Sequence, residues 1–268
     1  VVSEFNRSSS RYHITVEFYR WEELETKLNS RLVSSNPPDM VDLTQMDILN
    51  YAEKQIFEDL APYLEQSSLL DREDFLENLL EGYTVDGKLI CIPKSFGIYV
   101  TTGKSSLVGK EPGWTMEEFM EAAERNPGLK LSDYYSTEDL FRNLFGQYLC
   151  SYYIDWDRGE CQFDSEEFCQ FLEWVKAAGT GNITPVKIID EKYWTEERLV
   201  TRQFMLDVAD CAKMELIYGE KFTFKGDPTE DGSAFFPVVP QDALGIVSGS
   251  RHKEGAWEFV EYFLSRDV

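Results

Sequence analysis

The sequence predicts an α/β protein built from two lobes. Its 268 residues exceed the usual size of a single hydrophobic core and suit two lobes of roughly 100 to 150 residues each. Helix-like and strand-like segments alternate over residues 3–60, which is the pattern of an open α/β sheet. Residues 225–264 repeat that alternation at the other end, as a Gly- and Asp-rich loop, an apolar strand and an amphipathic helix. Both ends of the chain therefore predict the same fold class.

The first sixty residues predict three helices and two strands. We expect, in order, a short helix near residues 4–9, a strand at 13–19, a helix at 22–35, a strand at 40–44 and a helix near 48–54. Leu24, Leu28 and Leu32 recur every four residues, which marks the apolar face of the second helix. The pair Pro37-Pro38 should stop that helix.

The middle of the chain continues with a predicted helix at 71–80. Asp86-Gly87 is a typical two-residue hairpin turn, and two strand-like runs follow it. A further helix follows residues 112–114, with Thr115 as its N-cap and Glu118 completing a capping box.

Residues 140–178 are aromatic and predicted to be mostly helical, with an interruption at 154–165. The predicted buried face of the helix at 166–178 consists of Phe168, Phe171, Leu172 and Val175. Strand-like runs follow at 186–189 and 203–210, and the chain closes with a strand at 243–250 and a helix at 253–265.

Charge and composition exclude several classes of partner. The formal net charge of −23 repels phosphate backbones and anionic lipid surfaces, so nucleic acid is not an expected partner. Such a surface usually serves solubility, although it would also attract a cationic ligand. No apolar run approaches the ~20 residues that a spanning helix requires.

Cysteine and histidine give no sign of a metal site or of a cofactor. The five cysteines show no CxxC spacing; Cys150 and Cys161 could pair, but buried reduced thiols are the expected state. His13 opens a predicted strand and His252 lies in a charged turn, so neither resembles a ligand or a base.

Catalysis is not expected. Asp155 and Asp157 flank Trp156, but alternate residues of an extended chain point to opposite faces and make a poor carboxylate pair for a glycosidase. No GxSxG, HExxH, P-loop or GxGxxG motif occurs, and GDPTEDG lacks the length and final glutamate of an EF-hand loop.

Three segments carry a family resemblance. Residues 37–63 (PPDMVDLTQMDILNYAEKQIFEDLAPY), the DGK-strand-Pro-strand element from Asp86, and the closing segment 225–264 resemble bacterial extracellular solute-binding proteins. These are the ligand-capturing components of ABC importers related to maltose-binding protein. On the crossing strand, TTGKSS replaces the aromatic-Asn-Lys run that is usual in the family. The family's opening strand would lie upstream of Val1, so we expect a trimmed fragment.

The resemblance implies a fold and its division into lobes. The fold is periplasmic-binding-protein-like (type II), with two α/β lobes joined by a hinge and a ligand cleft between them. Lobe 1 would comprise residues 1–98 plus 243–268, and lobe 2 residues 99–242. The hinge would lie near Ile98 to Thr102 and Ala243 to Val247.

Candidate ligand-binding residues follow from the ends of the predicted strands, where open α/β sheets bind ligands. From lobe 1 they are Trp21, Glu22, Gln45, Met46, Asp47, Lys94, Ser95 and Phe96. From lobe 2 the family resemblance adds Tyr153, Trp156, Trp194, Asp207 and Asp210. Aromatic faces cover the CH surfaces of a sugar ring, and short polar side chains bond its hydroxyls.

Several of these residues have a structural alternative. Trp21 could staple the following helix, Asp47 and Asp207 could cap helices or form turns, and Lys94 could neutralise a carboxylate. Tyr152 and Tyr153 are adjacent on a predicted helix, so at most one should face a ligand. Trp114, Trp174 and Trp257 are expected in the core.

The resulting functional expectation is capture of a mono- or oligosaccharide and its delivery to the permease subunits of an ABC transporter. A polyamine or another cation, or a ligand-sensing ectodomain of the same fold, is the alternative. We expect a monomer without cofactors, on the extracellular face of the cytoplasmic membrane or in the periplasm, attached to the membrane only through a lipid anchor upstream of Val1.

Overall fold

The computed structural model describes residues 1–44, 46, 51, 54–132, 137–156, 158–178 and 197–265. The chain divides into two compact units, unit 1 (Val1–Phe96 and Pro240–Val268) and unit 2 (Gly97–Val239). The lobes expected from the sequence, 1–98 plus 243–268 and 99–242, stay a prediction, because a division into compact units does not test which residues move together.

The helices of the described residues, in chain order, are α1 (Val2–Ser8), α2 (Trp21–Leu32), α3 (Ala61–Gln66), α4 (Glu77–Gly82), α5 (Ser105–Val108), α6 (Met116–Arg125), α7 (Thr137–Asp139), α8 (Gly146–Tyr152), α9 (Glu166–Ala178), α10 (Val208–Tyr218) and α11 (Lys253–Leu264). A 3-10 turn (Arg72–Asp74) precedes α4 and a π-helical turn (Leu140–Leu144) precedes α8. The strands are β1 (Met40–Asp42), β2 (Thr84–Val85), β3 (Lys88–Leu89), β4 (Ile92–Lys104), β5 (Ile154–Asp155), β6 (Glu160–Cys161), β7 (Thr201–Met205), β8 (Phe222–Phe224) and β9 (Val238–Ile246).

Strand β9 organises unit 1. It pairs antiparallel with β1, with Met40 opposite Ile246 and Asp42 opposite Leu244, and it neighbours β4 in the strand order. The core contains the fully buried Leu43, Leu60, Leu80, Ile92, Ile246 and Val260. Trp257 of α11 joins this core, as predicted.

Strand β4 organises unit 2. It pairs antiparallel with β7, from Ile98 opposite Met205 to Thr102 opposite Thr201, and further along with β8. The core is aromatic: Trp114 meets Phe119 edge to face at 4.8 Å between ring centroids, and Phe145 lies 5.5 Å from both Phe119 and Phe171. Such offset contacts between rings add to the free energy gained from burial alone.

Trp114 and Trp174 confirm the predicted core positions in this unit. Trp114 is buried, and the half-buried Trp174 packs against the same cluster. The prediction for Leu172 is wrong, because that side chain is 38% exposed while its helix neighbours Phe171 and Val175 are buried.

The loop from β8 to β9 in unit 2 begins with a buried polar segment, residues 225–229. The Asp227 carboxylate, 1% exposed, receives hydrogen bonds from the Arg202 guanidinium at 3.0 and 3.3 Å. It also accepts one from Thr101 Oγ1 at 2.5 Å. The Arg202 guanidinium in turn lies 4.1 Å from the centroid of the Tyr99 ring. This ion pair fastens the loop to β4 and β7.

Local sequence chemistry predicted two junctions correctly. Asp86 and Gly87 have φ values of 51° and 76° and turn β2 into β3, as a two-residue turn with both residues left-handed requires. Thr115 Oγ1 accepts the Glu118 N–H at 3.1 Å, and Glu118 Oε2 accepts the Thr115 N–H at 2.8 Å. The predicted capping box of α6 is confirmed.

The strand predicted at 13–19 does not form. This segment has no regular secondary structure, and no strand of the described residues pairs with it. Phe18 is 91% exposed and Val16 is 44% exposed. The alternating pattern is present, but a strand also needs a partner to satisfy its backbone groups.

Two further predictions are corrected. The helix expected at 71–80 is split, because Phe75 and Leu76 adopt extended backbone angles and Phe75 turns towards the unit 1 core. All five thiols are free, but only Cys91 is buried; Cys150, Cys161 and Cys169 are exposed.

The strand expected at 203–210 is only partly correct, because β7 ends at Met205 and residues 208–210 begin helix α10. The remaining elements agree in type and differ at their bounds. Helix α2 ends at Leu32, before the expected end at 35, and β9 begins at Val238, before the expected start at 243. The interruption expected at 154–165 is the β5–β6 hairpin. The helix near 48–54 and the strand at 186–189 fall largely or wholly outside the described residues.

Candidate functional site

Three candidate residues, Lys94, Ser95 and Phe96, lie on β4. Lys94 is half-buried, and its Nζ lies 4.9 Å from the centroid of the Phe263 ring. Ser95 Oγ donates a hydrogen bond to Asp242 Oδ2 at 3.0 Å. Phe96 is 41% exposed. Phe96 is therefore the side chain of this group that offers an accessible apolar face.

The segment after β1 is a turn held by hydrogen bonds. The N–H and Oγ1 of Thr44 both donate to Asp42 Oδ1, at 3.0 and 2.5 Å. Thr44 Oγ1 also accepts the Ala243 N–H at 3.0 Å. Met46 donates its N–H to the Leu43 carbonyl at 3.1 Å and packs on the unit 1 core. Gln45 and Asp47 lie outside the described residues.

Asp42 and Thr44 were missed as residues that position this segment. The Asp-x-Thr order was visible in the sequence, because an aspartate side chain commonly bonds the backbone N–H two residues later. The bond from Ala243 was not visible, since it joins residues 199 positions apart.

Trp21 and Glu22 begin helix α2. Trp21 is its first residue, and Glu22 is an exposed residue of its first turn. Glu22 and Glu23 place negative charge at the helix N-terminus, where the helix dipole stabilises it. The position of Glu22 therefore has a structural explanation in addition to the predicted contact with ligand.

Trp156 is the most exposed aromatic side chain among the unit 2 candidates that the structure describes. It follows β5 at the tip of the β5–β6 hairpin and is 71% exposed. Its Nε1–H donates to the Cys150 carbonyl at 3.0 Å, which orients the indole. Tyr152 is 40% exposed, and its ring stacks on Tyr148 at 5.3 Å between centroids.

Tyr153 lies in the core of unit 2, and its contact with ligand stays a prediction. Tyr153 is only 3% exposed, packs on Phe168 at 5.0 Å between ring centroids and belongs to the unit 2 core. Burial raises the pKa of the Tyr153 phenol and also the pKa of the neighbouring Tyr148 phenol. The hydroxyl groups of these two tyrosines are hydrogen-bonded to each other. Of the adjacent pair, Tyr152 is the accessible ring.

Asp207 and Asp210 cap a helix. Asp207 Oδ1 accepts the Asp210 N–H at 3.2 Å, and Asp210 Oδ2 accepts the Leu206 N–H at 3.0 Å. Asp207 directly precedes α10, so the capping alternative matches its position. Trp194 lies outside the described residues.

Other kinds of site are not apparent in the described part of the chain. No group of three or more His, Cys, Asp or Glu side chains there could hold a metal ion. No helix within these residues has the length and apolar character to cross a membrane. A small cavity in unit 1, of about 190 Å³, is lined by Gln55, Phe57, Val85, Asp86, Lys88 and Ile90, none of which is a candidate residue.

Comparison with known proteins gives a family match over the whole chain. A family model described as bacterial extracellular solute-binding protein matches residues 1–268.

Solved structures give a consistent result. The sugar-binding protein MalE of Xanthomonas citri aligns with a TM-score of 0.70 at 16% identity, over 100% of this chain and 71% of that protein. An ABC substrate-binding protein of Listeria monocytogenes, solved with cycloalternan, aligns with a TM-score of 0.66 at 18% identity, over 99% and 71%. A cyclic alpha-maltosyl-1,6-maltose binding protein of Arthrobacter globiformis gives 0.63 at 20% identity, again over 99% and 71%.

These similarities establish the fold. The chain has the periplasmic-binding-protein-like (type II) α/β fold, as the sequence predicted. At 16–20% identity they do not identify a ligand for this chain.

Proposed function

This chain belongs to the family of bacterial extracellular solute-binding proteins, and from that premise we propose that it captures a carbohydrate, either a mono- or an oligosaccharide. The observation that carries the proposal is the exposed and oriented indole of Trp156, which is 71% exposed and bonded through Nε1 to the Cys150 carbonyl. The flat face of the indole suits the CH surface of a sugar ring.

The proposed mechanism is capture and delivery. Exposed aromatic faces such as Trp156, Tyr152 and Phe96 would stack on the sugar. Polar groups of the turn after β1 would bond its hydroxyls. Two lobes would then close over the ligand by a hinge, and the closed form would be recognised by the permease subunits of an ABC transporter. A monomer anchored to the membrane by an upstream lipid suits this role.

The protein would act by binding and not by catalysis. Asp155 Oδ1 accepts the Arg158 N–H at 3.0 Å within the hairpin turn, and Asp207 and Asp210 are helix caps. Each of these carboxylates bonds a backbone N–H of its own turn or helix end, which is a structural role.

A cation is the second candidate ligand, favoured by one observation. The net charge of −23 attracts polyamines over long distances. The described residues include no group of three or more acidic side chains placed to hold a metal cation. The sugar therefore remains the primary proposal.

The proposal is tested by a ligand panel. Glucose and its linear and cyclic oligomers, chitin oligosaccharides, other monosaccharides and spermidine are each added to the purified chain, and the thermal midpoint is measured. A ligand present at a hundred times its Kd stabilises the native state by about 2.7 kcal/mol, which moves the midpoint by several degrees. A shift confined to spermidine, or chromatography showing that a sugar has been cleaved, would contradict the proposal.

Replacement of Trp156 by Ala tests the stacking role. The loss should cost about 1 to 3 kcal/mol of binding, or roughly 5- to 150-fold in Kd by calorimetry. Phe18→Ala is the matched control, because Phe18 is 91% exposed in unit 1 and has no proposed contact with sugar. Equal Kd values for both variants and the parent protein would reassign Trp156 to another role.

A further inference from the structure

Asp242 has a backbone conformation that its place in a strand does not require. Its φ is 52°, in the left-handed region, yet it lies inside β9. The other non-glycine residues with positive φ in the described part of the chain, Gln55 and Asp86, lie in turns. A left-handed residue other than glycine is uncommon, although aspartate adopts this conformation more readily than most residues, and strained residues of this kind concentrate at functional positions.

The side chain of Asp242 joins the two strands that cross between the units. Its Oδ2 accepts a hydrogen bond from Ser95 Oγ at 3.0 Å. Ser95 lies on β4 and Asp242 on β9, and both belong to unit 1. Unit 1 ends at Phe96 on the first strand and resumes at Pro240 on the second. The bond therefore ties both strands together close to where they leave unit 1.

The residue after Asp242 is fixed to unit 1. Ala243 donates its N–H to Thr44 Oγ1 at 3.0 Å, and its carbonyl accepts the Leu43 N–H at 2.8 Å. The paired ladder with β1 continues from Leu244. A rotation about the backbone of Asp242 would therefore redirect the residues before it, 238–241, together with the neighbouring strand β4, while those after it stay on β1.

We propose that β9 bends at Asp242, the pivot, when the lobes move. The hydrogen bond from Ser95, the latch, holds Asp242 in the left-handed conformation. Breaking the latch would let Asp242 relax to the extended conformation of an ordinary strand residue. Thr44 acts as a positioning residue, because it keeps the Ala243 amide and the turn after β1 in place while the pivot moves. The functional consequence rests on the proposed function, in which lobes close over a sugar.

The pivot also refines the hinge expected from the sequence. Within the expected stretches, Ile98 to Thr102 are paired residue by residue with β7, and Leu244 to Ile246 with β1. Ladder pairing resists a change of φ, whereas the strained Asp242 gains from one. The proposal therefore places the moving bond just before the predicted segment that begins at Ala243.

The first experiment needs no ligand. Backbone ¹³C shifts and the HN–Hα coupling of Asp242, which report φ, are measured by NMR in the parent protein and in Ser95→Ala. The latch predicts that the Asp242 signals move from left-handed towards extended values, while those of Asp86 and Leu244 do not change. Unchanged Asp242 signals in Ser95→Ala would refute the latch.

A stability comparison adds a second ligand-free test. Asp242→Gly should keep a higher thermal midpoint than Asp242→Ala, because glycine adopts positive φ freely and alanine does not. Equal midpoints would show that φ at this position is not constrained and would also overturn the pivot.

The second experiment measures sugar affinity in a double-mutant cycle. Ser95→Ala and Asp242→Ala should each change the Kd by about threefold or more, through the population of the binding-competent conformation, and the double variant should match the single ones. If the Kd changes of the two single variants multiply in the double variant, Ser95 contacts the sugar directly, which contradicts the latch. If no sugar binds at all, the proposed function fails while the ligand-free experiments still decide the pivot.

Discussion

The segments at 225–229 and 15–19 have the opposite burial from the one that their compositions predict. The first, KGDPT, is polar and is buried at every position, whereas the second, TVEFY, has a strand-like pattern and is exposed at four of its five positions. Lys225 is 7% and Asp227 is 1% exposed, while Phe18 is 91% exposed. Composition alone would have assigned these environments the other way round.

The difference between the two segments lies in their partners. In the first, the N–H groups of Lys225 and Gly226 both donate to the Thr101 carbonyl, at 2.9 and 3.0 Å. Lys225 Nζ donates to the Glu111 carbonyl at 2.9 Å, and Asp227 is paired with Arg202. A polar segment can be buried when its groups are satisfied in this way.

The second segment has side-chain contacts but no strand beside it. Arg31 bonds Glu17 at 3.0 Å and Tyr19 bonds the same carboxylate at 2.5 Å. No strand of the described residues pairs with residues 15–19. Burial thus follows from available partners more closely than from the polarity of a segment.

The largest expected effect comes from breaking the buried ion pair. Arg202→Ala should destabilise the protein by about 3 to 5 kcal/mol, because it leaves the Asp227 carboxylate buried without its cation. Urea unfolding measures this change. Arg142→Ala is the control, since Arg142 pairs with Glu138 on the surface with 73% of its side chain exposed, and no measurable loss is expected there.

Replacing both partners sharpens this test. The double variant R202M with D227L should lose much less stability than Arg202→Ala, because no uncompensated charge remains in the core. A loss below ~1 kcal/mol for Arg202→Ala would show that the pair does not anchor the loop.

A smaller effect is expected from Gly113, which lets the loop between β8 and β9 pass close to the backbone at residue 113. Gly113 has a φ of 81°, and a Cβ there would lie 2.2 Å from the Gly232 carbonyl oxygen. Gly113→Ala should therefore cost about 3 kcal/mol in unfolding free energy, the sum of a left-handed conformation and a backbone clash.

The matched control for Gly113 is Gly159. Gly159 also has a positive φ, of 65°, but nothing lies within 4 Å of the position of its Cβ. Gly159→Ala should cost only about 1 kcal/mol. If the two variants were equally stable, the close approach of residues 113 and 232 would not exist in solution.

The smallest effect is expected in the exposed segment. Phe18→Ala should change the unfolding free energy by less than about 0.5 kcal/mol, since the ring is almost fully exposed. Phe57→Ala, which truncates a phenylalanine that is 3% exposed in the same unit, should cost about 3 to 5 kcal/mol. A loss above ~1.5 kcal/mol for Phe18 would mean that the segment is packed.

Much of the fold was predictable because its signals are local. Residues 84–89 contain their hairpin turn, and Thr115 and Glu118 contain their capping box, within a few positions of the chain. The apolar spacing of α9 likewise placed Phe168, Phe171 and Val175 in the core. The family resemblance supplied the overall fold, which no local pattern determines.

Less of the candidate site could be predicted, because it depends on contacts between distant residues. The sequence identified Trp156 and Ser95 as candidates, and the structure adds what each contacts. It could not decide between Tyr152 and Tyr153, since adjacent helical residues differ in burial only through the elements that pack on them. Helix capping by Asp207 stood as an open alternative until the hydrogen bond to Asp210 was seen.

The sequence by itself determined the α/β class, the order of most elements, the hairpin and the helix cap, and the acidic surface, because periodicity, turn chemistry and charge are properties of neighbouring residues. Only the tertiary structure decided that KGDPT is buried, that TVEFY is exposed and that Asp242 adopts a left-handed conformation beside Ser95. The reason is physical: burial and backbone strain are stabilised by partners such as Arg202 and Ser95, which lie 25 and 147 positions away along the chain.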